Sequence, residues 1–164
     1  MIIIKTNEQI KLMRIAGRIT GEALLLGGEM VKPGISTKEI DNAIRRHIEK
    51  CGAKPSFLGY GGFPGSACIS VNDQVIHGIP GKRMIQNGDI VSLDLGACVD
   101  GYHGDCAATV ACGEVTEEAK RLIAEVPDAG KIPVELAAAH VGRGVLLMDL
   151  IQEGSLGLWD VILN

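Results

Sequence analysis

The stretch from Asp94 to Asp105 constrains this chain more than any other. Two aspartates flank the dipeptide Asp100-Gly101, which lies between two runs of largely apolar or β-compatible residues, 90 to 99 and 102 to 111. Asp-Gly between such runs favours a two-residue hairpin turn in which both positions take positive φ. With Asp100 and Gly101 as the turn, Val99 faces Tyr102, Cys98 faces His103 and Gly96 faces Asp105. Asp94 lies two residues before Gly96 on the same side of the pleat, so both carboxylates project from one face as diagonal neighbours roughly 7–8 Å apart. Side chains so placed can converge on a dinuclear site with ions about 3.5–4 Å apart. Two bare carboxylates turned to a core would each carry a heavy desolvation cost. Two solvated aspartates on an exposed sheet face satisfy the same spacing. His103 shares the aspartate face and is a rival ligand if the hairpin has no bulge.

With 164 residues the chain is long enough for one domain with a real core. A net charge of -4, with no basic run beyond Arg45-Arg46 and Lys82-Arg83, gives no general attraction to phosphate backbones or anionic membranes. Nucleic acid and membrane are therefore not expected partners. Aromatic side chains are 3% of the chain, too few for a base-stacking surface, and four of them (Phe57, Tyr60, Phe63 and Tyr102) fall between positions 57 and 102. The cysteines, Cys51, Cys68, Cys98, Cys106 and Cys112, are odd in number and lack the close pairs of a cysteine-based zinc site, which fits reduced thiols. The apolar start Met1-Ile2-Ile3-Ile4 is too short for a signal, and no stretch reaches the roughly 18 apolar residues of a membrane span. A cytoplasmic location is expected.

Thr6-Asn7-Glu8-Gln9 has the form of a capping box, and Ile10, Met13, Gly17, Thr20 and Leu24 recur at helical steps, which predicts a helix over about 7–27 with that stripe inward. Pro33-Gly34 breaks the chain. Ser36-Thr37-Lys38-Glu39 starts a second helix whose Ile40, Ala43, Ile44 and Ile48 share a face, and Gly52 stops it. After Pro55 the pattern turns to β-prone runs over 67–71, 74–77, 90–98 and 102–111, an α+β layout of two helices followed by an antiparallel sheet. Helical pattern resumes over 116–124. Beyond it, Pro127, Gly130, Pro133, Gly142, Gly144, Gly154 and Gly157 punctuate apolar sequence with no sustained period.

Phe57-Leu58-Gly59-Tyr60-Gly61-Gly62-Phe63-Pro64-Gly65 is a glycine-rich loop with three rings, which can wall a small hydrophobic pocket or merely cover the core. It is not a dinucleotide or phosphate loop, since Pro64 stands where a third glycine would be required. His77 ends the apolar run Val75-Ile76 at a Gly/Pro turn, where an imidazole serves chemistry better than in mid-strand and where rim histidines also occur.

Taken together, these stretches resemble the amino-terminal half of bacterial type I methionine aminopeptidases. The likeness rests on Met13-Arg14-Ile15-Ala16-Gly17-Arg18, Val31-Lys32-Pro33-Gly34-Ile35-Ser36-Thr37, Phe57 through Pro64, Cys68-Ile69-Ser70-Val71-Asn72, His77-Gly78-Ile79-Pro80, Gly88 through Asp94, and His103-Gly104-Asp105. In order, they cover nearly three-quarters of the chain, from Lys5 to about Ala124. The resemblance implies the pita-bread (creatinase/aminopeptidase-like) fold, here incomplete, and removal of the initiator methionine by two-metal hydrolysis. Asp94 and Asp105 match two of the family's five metal ligands, Asp105 being the one that bridges both ions. His77 matches the catalytic and substrate-contacting histidine, and Phe57, Tyr60, Phe63 and Cys68 match the pocket for the methionine side chain. Rings and sulfur suit a polarizable thioether.

The implied cofactors are two divalent ions, Co, Mn, Fe or Zn, which oxygen-rich ligands do not tell apart. The implied partners are nascent peptide N-termini, with ribosome association. In the family the other three ligands, one histidine and two glutamates, belong to the second half of the fold. Residues 126–164 do not match it: His140 lacks the family's flanking glycines, and Glu125, Glu135 and Glu153 stand in no family-like context. The expected organisation is therefore an aminopeptidase half over 1–125 and a divergent or foreign segment over 126–164, with impaired activity and self-association through an uncovered sheet edge. A related Xaa-Pro peptidase and a catalytically silent remnant that binds peptides or a partner are the alternatives.

Overall fold

The computed structural model describes residues 4–125. Helix α1 spans Asn7–Met30 and α2 spans Thr37–Lys50, each opened by a complete capping box, Thr6 with Gln9 and Ser36 with Glu39. In each box the hydroxyl accepts the backbone N–H three residues on while the longer side chain reaches back to the cap's own N–H, so two orphan donors are satisfied at once. Four strands follow, β1 (Lys54–Pro55), β2 (Ala67–Val71), β3 (Ile90–Val99) and β4 (Tyr102–Ala111), and then α3 (Glu117–Glu125). Strand β3 is central: β4 pairs with its whole length on one side, while β2 and β1 share the other, all antiparallel. No helix among the described residues is long and apolar enough to cross a membrane.

The face of the sheet bearing Val91, Leu93, Leu95 and Ala97 packs under the two helices, with Ile40, Ile44 and Ile48 of α2 buried in the same core. The inward face of α2 is as the periodicity predicts. For α1 it is not. Its buried residues are Ala16, Ile19, Thr20, Ala23 and Gly27, whereas Ile10 and Gly17 are exposed and Leu24 is half-buried. Closeness rather than bulk decides the matter. Gly27 meets the side chains of Ile44 and Leu93, Thr20 accepts the backbone N–H of Ala97 at 3.1 Å, and β4 approaches so near that a Cβ on Gly104 would lie 2.5 Å from the backbone of Ala16 and Gly17. Because that obstacle is backbone on both sides, Gly104→Ala is expected to cost about 3 kcal/mol, read as a lowered urea midpoint with unchanged slope.

The β-prone run 74–77 forms no strand. Asn72 takes a left-handed φ of 59°, Gln74 turns back to bond Val71, and Val75 and Ile76 are 72% and 45% exposed. Among the described residues these apolar side chains have no facing layer to enter. The chain instead runs back along β2, where the Ile69 N–H donates to the Gly78 carbonyl at 2.8 Å and the Gly78 N–H to Ser70 Oγ at 3.0 Å. Two short elements, β1 and the 3-10 turn Tyr60–Gly62, carry no pattern of their own in the sequence. The segment 126–164, set apart on sequence grounds, lies outside the described residues.

Candidate metal centre

The Asp100-Gly101 dipeptide makes the turn its composition predicts, with φ of 49° and 82°, and the pairing runs unbroken from Val99↔Tyr102 to Ile90↔Ala111. Gly96 faces Asp105, Asp94 faces Ala107, and no bulge intervenes. Since cross-strand partners share a face and parity alternates along each strand, Asp94 and Asp105 project from the side of the sheet opposite α1 and α2. Cys68 joins them, because it is the partner of Asp94 on β2. The same parity puts His103 on this face, but its ring is engaged elsewhere, with Nδ1 2.9 Å from Ser56 Oγ.

The electrostatics of this face are those of two neighbouring carboxylates, one of them deeply buried. Burial first, and the neighbouring Asp94 second, push the Asp105 carboxyl up to about 8, against the smaller opposing effect of the Cys106 backbone N–H. Asp105 Oδ1 is buried with no hydrogen-bond partner among the described residues, which is costly for a carboxylate oxygen. Burial together with Asp94 and Asp105 also raises the thiols of Cys68 and Cys106, each to about 12. Both thiols are therefore neutral at physiological pH; Cys68 serves on the aspartate face as soft, weakly polar wall rather than as a thiolate ligand, while Cys106, the partner of Leu95, belongs to the opposite face. An orphaned oxygen beside a second carboxylate, in a site that penalises their joint ionisation, is a donor set that fits a divalent cation.

His77 follows β2 in the segment tied along its edge. It holds φ of 55°, uncommon for a residue with a Cβ, and its neighbour Gly78 packs so tightly on the Ile69 backbone that no side chain fits there. The imidazole is exposed. The aromatic loop departs from the same region, since the Ser56 N–H donates to the Gly96 carbonyl at 2.9 Å. That loop is closed by the Gly59 N–H on the Phe63 carbonyl at 2.8 Å, with Gly59, Gly61 and Gly62 all at positive φ. Phe57 is fully buried, Phe63 half-buried and Tyr60 half-exposed. The structure thus brings Cys68, Asp94 and Asp105 onto one face, with His77 and the rings on the two loops that border it.

Two supporting residues escaped the reading of the sequence. Ser56 both anchors the aromatic loop and occupies His103. Asp41, buried in α2, accepts the backbone N–H groups of Ser66 at 2.7 Å and Ala67 at 3.1 Å and pairs with Lys38 Nζ at 2.9 Å, and so fixes the start of β2. Its signal lay in periodicity: Asp41 falls on the buried stripe with Thr37, Ile44 and Ile48, where a lone carboxylate requires partners.

A family model for metallopeptidase family M24 matches residues 11–151. The methionine aminopeptidase of Clostridium perfringens is 54% identical over 123 residues, 75% of this chain and 49% of that protein. The crystal structure of a methionine aminopeptidase from Rickettsia prowazekii, 38% identical, superposes with a TM-score of 0.76 over 79% of this chain and 52% of its own. An Xaa-Pro dipeptidase from Bacillus anthracis is more distant, at 29% identity and a TM-score of 0.66 over 77% of this chain and 34% of its own. The chain spans about half the length of the curated relatives it matches.

Proposed function

Since this chain belongs to metallopeptidase family M24 and has the family's pita-bread fold, we propose that it is the amino-terminal half of a methionine aminopeptidase, built to remove the initiator methionine from peptide N-termini. The observation that carries this is the aspartate pair with its orphaned oxygen, set beside a loop of three rings and a neutral thiol. Asp94 and Asp105 would hold divalent metal ions, with Asp105 Oδ1 among the donors. Bound there, such ions supply Lewis acidity toward the scissile carbonyl and lower the pKa of water. His77 donates to the oxygen on which charge develops in the transition state. Its positive φ and the close packing of Gly78 on Ile69 set the backbone of this residue beside β2. Cys68, Phe57, Tyr60 and Phe63 receive the methionine side chain, and because burial keeps the Cys68 thiol protonated, the pocket there is soft and uncharged.

Tight oxygen sites use about six or more donors around each ion. Two carboxylates alone hold metal weakly, so residues 1–125 by themselves would turn over slowly and depend on added metal or on further ligands. The division near residue 125 belongs to the same proposal. Residues 126–164 are a divergent ending into which the family match extends as far as residue 151. A second-half reading in another frame of the encoding DNA would support that origin, and its absence would count against it.

The decisive assay is methionine release from a Met-Ala peptide, with and without Mn2+ or Co2+, beside an Xaa-Pro peptide. Metal-dependent release from Met-Ala alone is the expected result. Release from Xaa-Pro alone would assign the chain to the Xaa-Pro peptidases, and release from neither, with no saturable Mn2+ binding that Asp105→Asn removes, would mark a silent remnant.

A further inference from the structure

We propose a second metal site, remote in composition from the aspartate pair, in which Glu22 of α1 and His47 and Cys51 at the end of α2 bind a borderline transition-metal dication such as Zn2+. His47 and Cys51 are four residues apart, one turn of helix, so their side chains stack on one face, and Glu22 reaches them across the seam between the helices. His47 Nε2 lies 3.7 Å from Cys51 Sγ and 3.5 Å from Glu22 Oε2, and the three donor atoms all fall within 4.8 Å of one another.

Two of those separations, nitrogen to sulfur and nitrogen to oxygen, match edges of a zinc tetrahedron. With bonds of about 2.3 Å to sulfur, 2.05 Å to nitrogen and 2.1 Å to oxygen, tetrahedral angles place sulfur and nitrogen about 3.6 Å apart and nitrogen and oxygen about 3.4 Å apart. Ordinary hydrogen bonding accounts for the cluster poorly. One ring nitrogen confronts both the thiol and the carboxylate, and 3.5 Å is long against the roughly 2.7–3.2 Å of a good N–H···O bond. Both contacts converge on the one nitrogen, Nε2. Glu22 is already oriented for this, because its other oxygen, Oε1, accepts from the Arg18 guanidinium at 2.8 Å and leaves Oε2 turned to the imidazole. Outer partners of this kind fix a ligand's direction.

Thiolate, imidazole and carboxylate together select zinc-like ions over Mg2+, Ca2+ or Mn2+. Cys51 is exposed and Glu22 and His47 are half-buried, so the fourth position is open to water. Three protein ligands and one exchangeable position make an accessible site, and the ion would clip α1 to α2.

Co2+ titrated into the full chain under reducing conditions tests this, because a cobalt–thiolate charge-transfer band in the near ultraviolet reports sulfur ligation that two aspartates cannot produce. The expected result is one saturable band in the wild type and in Asp105→Asn, bleached when Zn2+ is added. Cys51→Ser should abolish it. His47→Gln and Glu22→Gln should weaken Co2+ by more than the roughly 10- to 100-fold that outer partners alone contribute. All three positions are at least partly exposed, and circular dichroism checks that each variant is folded. No thiolate band in the folded wild type, or a band that survives Cys51→Ser, overturns the proposal.

Discussion

Replacing Asp105 by Asn will make the metal-free chain more stable at pH 8 and indifferent to added Mn2+. Burial and Asp94 raise the Asp105 carboxyl from its ordinary 3.8 to about 8. A carboxyl whose folded pKa exceeds its unfolded one favours folding only while protonated, so its contribution is fully present below about pH 4 and lost as pH rises through about 8. Between pH 6 and pH 8, where other carboxylates are ionised in both states, the wild type should lose roughly 2 kcal/mol from this one group. The Asn variant, with no proton to lose, should not. Urea melts at pH 6, 7 and 8 in the presence of a chelator measure the difference, and parallel curves for the two proteins would refute it. Mn2+ would add positive charge beside the Asp105 carboxylate. It should raise the wild-type midpoint with concentration, as any ligand of the native state does, and leave Asp105→Asn unmoved. As an ion of low affinity for thiolate, Mn2+ also reports on the aspartates without the Glu22–His47–Cys51 cluster intervening.

Asp41→Ala is expected to cost about 4 kcal/mol, a large part of the 5–15 kcal/mol that holds a typical domain together. The carboxylate is buried and accepts two backbone N–H groups at the entry to β2, with Lys38 as its charge partner. Its removal leaves both donors buried without acceptors, at about 1–3 kcal/mol each, besides the lost pairing. The damage should reach the candidate centre, since β2 carries Cys68 two residues beyond Ser66 and Cys68 pairs with Asp94. Asp41→Asn keeps one acceptor oxygen and should recover about half the loss. Chemical denaturation of the three proteins decides this, and a cost below 1 kcal/mol for the alanine variant would show that the network is not holding β2.

How far the metal face could be read in advance follows from the range of the forces involved. The Asp100-Gly101 turn and the pairing of Gly96 with Asp105 depend on backbone preferences over a few residues, so they were legible. The capping boxes at Thr6 and Ser36 were legible for the same reason, as was the α2 face of Ile40, Ala43, Ile44 and Ile48, whose residues are all apolar. The run 74–77 misled because β propensity is only the ability to fit a pleated, half-buried surface. Beside β2 the chain is held by Gly78 and Ser70 instead, and Val75 and Ile76 are left in solvent.

By itself the sequence determined which side of the ribbon both aspartates share, because strand parity and turn geometry are properties of neighbouring residues. Only the tertiary structure decided what that side is like. The burial that lifts Asp105 to about 8, the engagement of His103 by a serine 47 positions away, and the rotation of α1 onto Ala16, Ala23 and Gly27 all arise from segments meeting across the fold. The convergence of Glu22 with His47 and Cys51 has the same origin. Packing density and desolvation depend on what lies opposite a residue in space, and no local pattern along the chain encodes that.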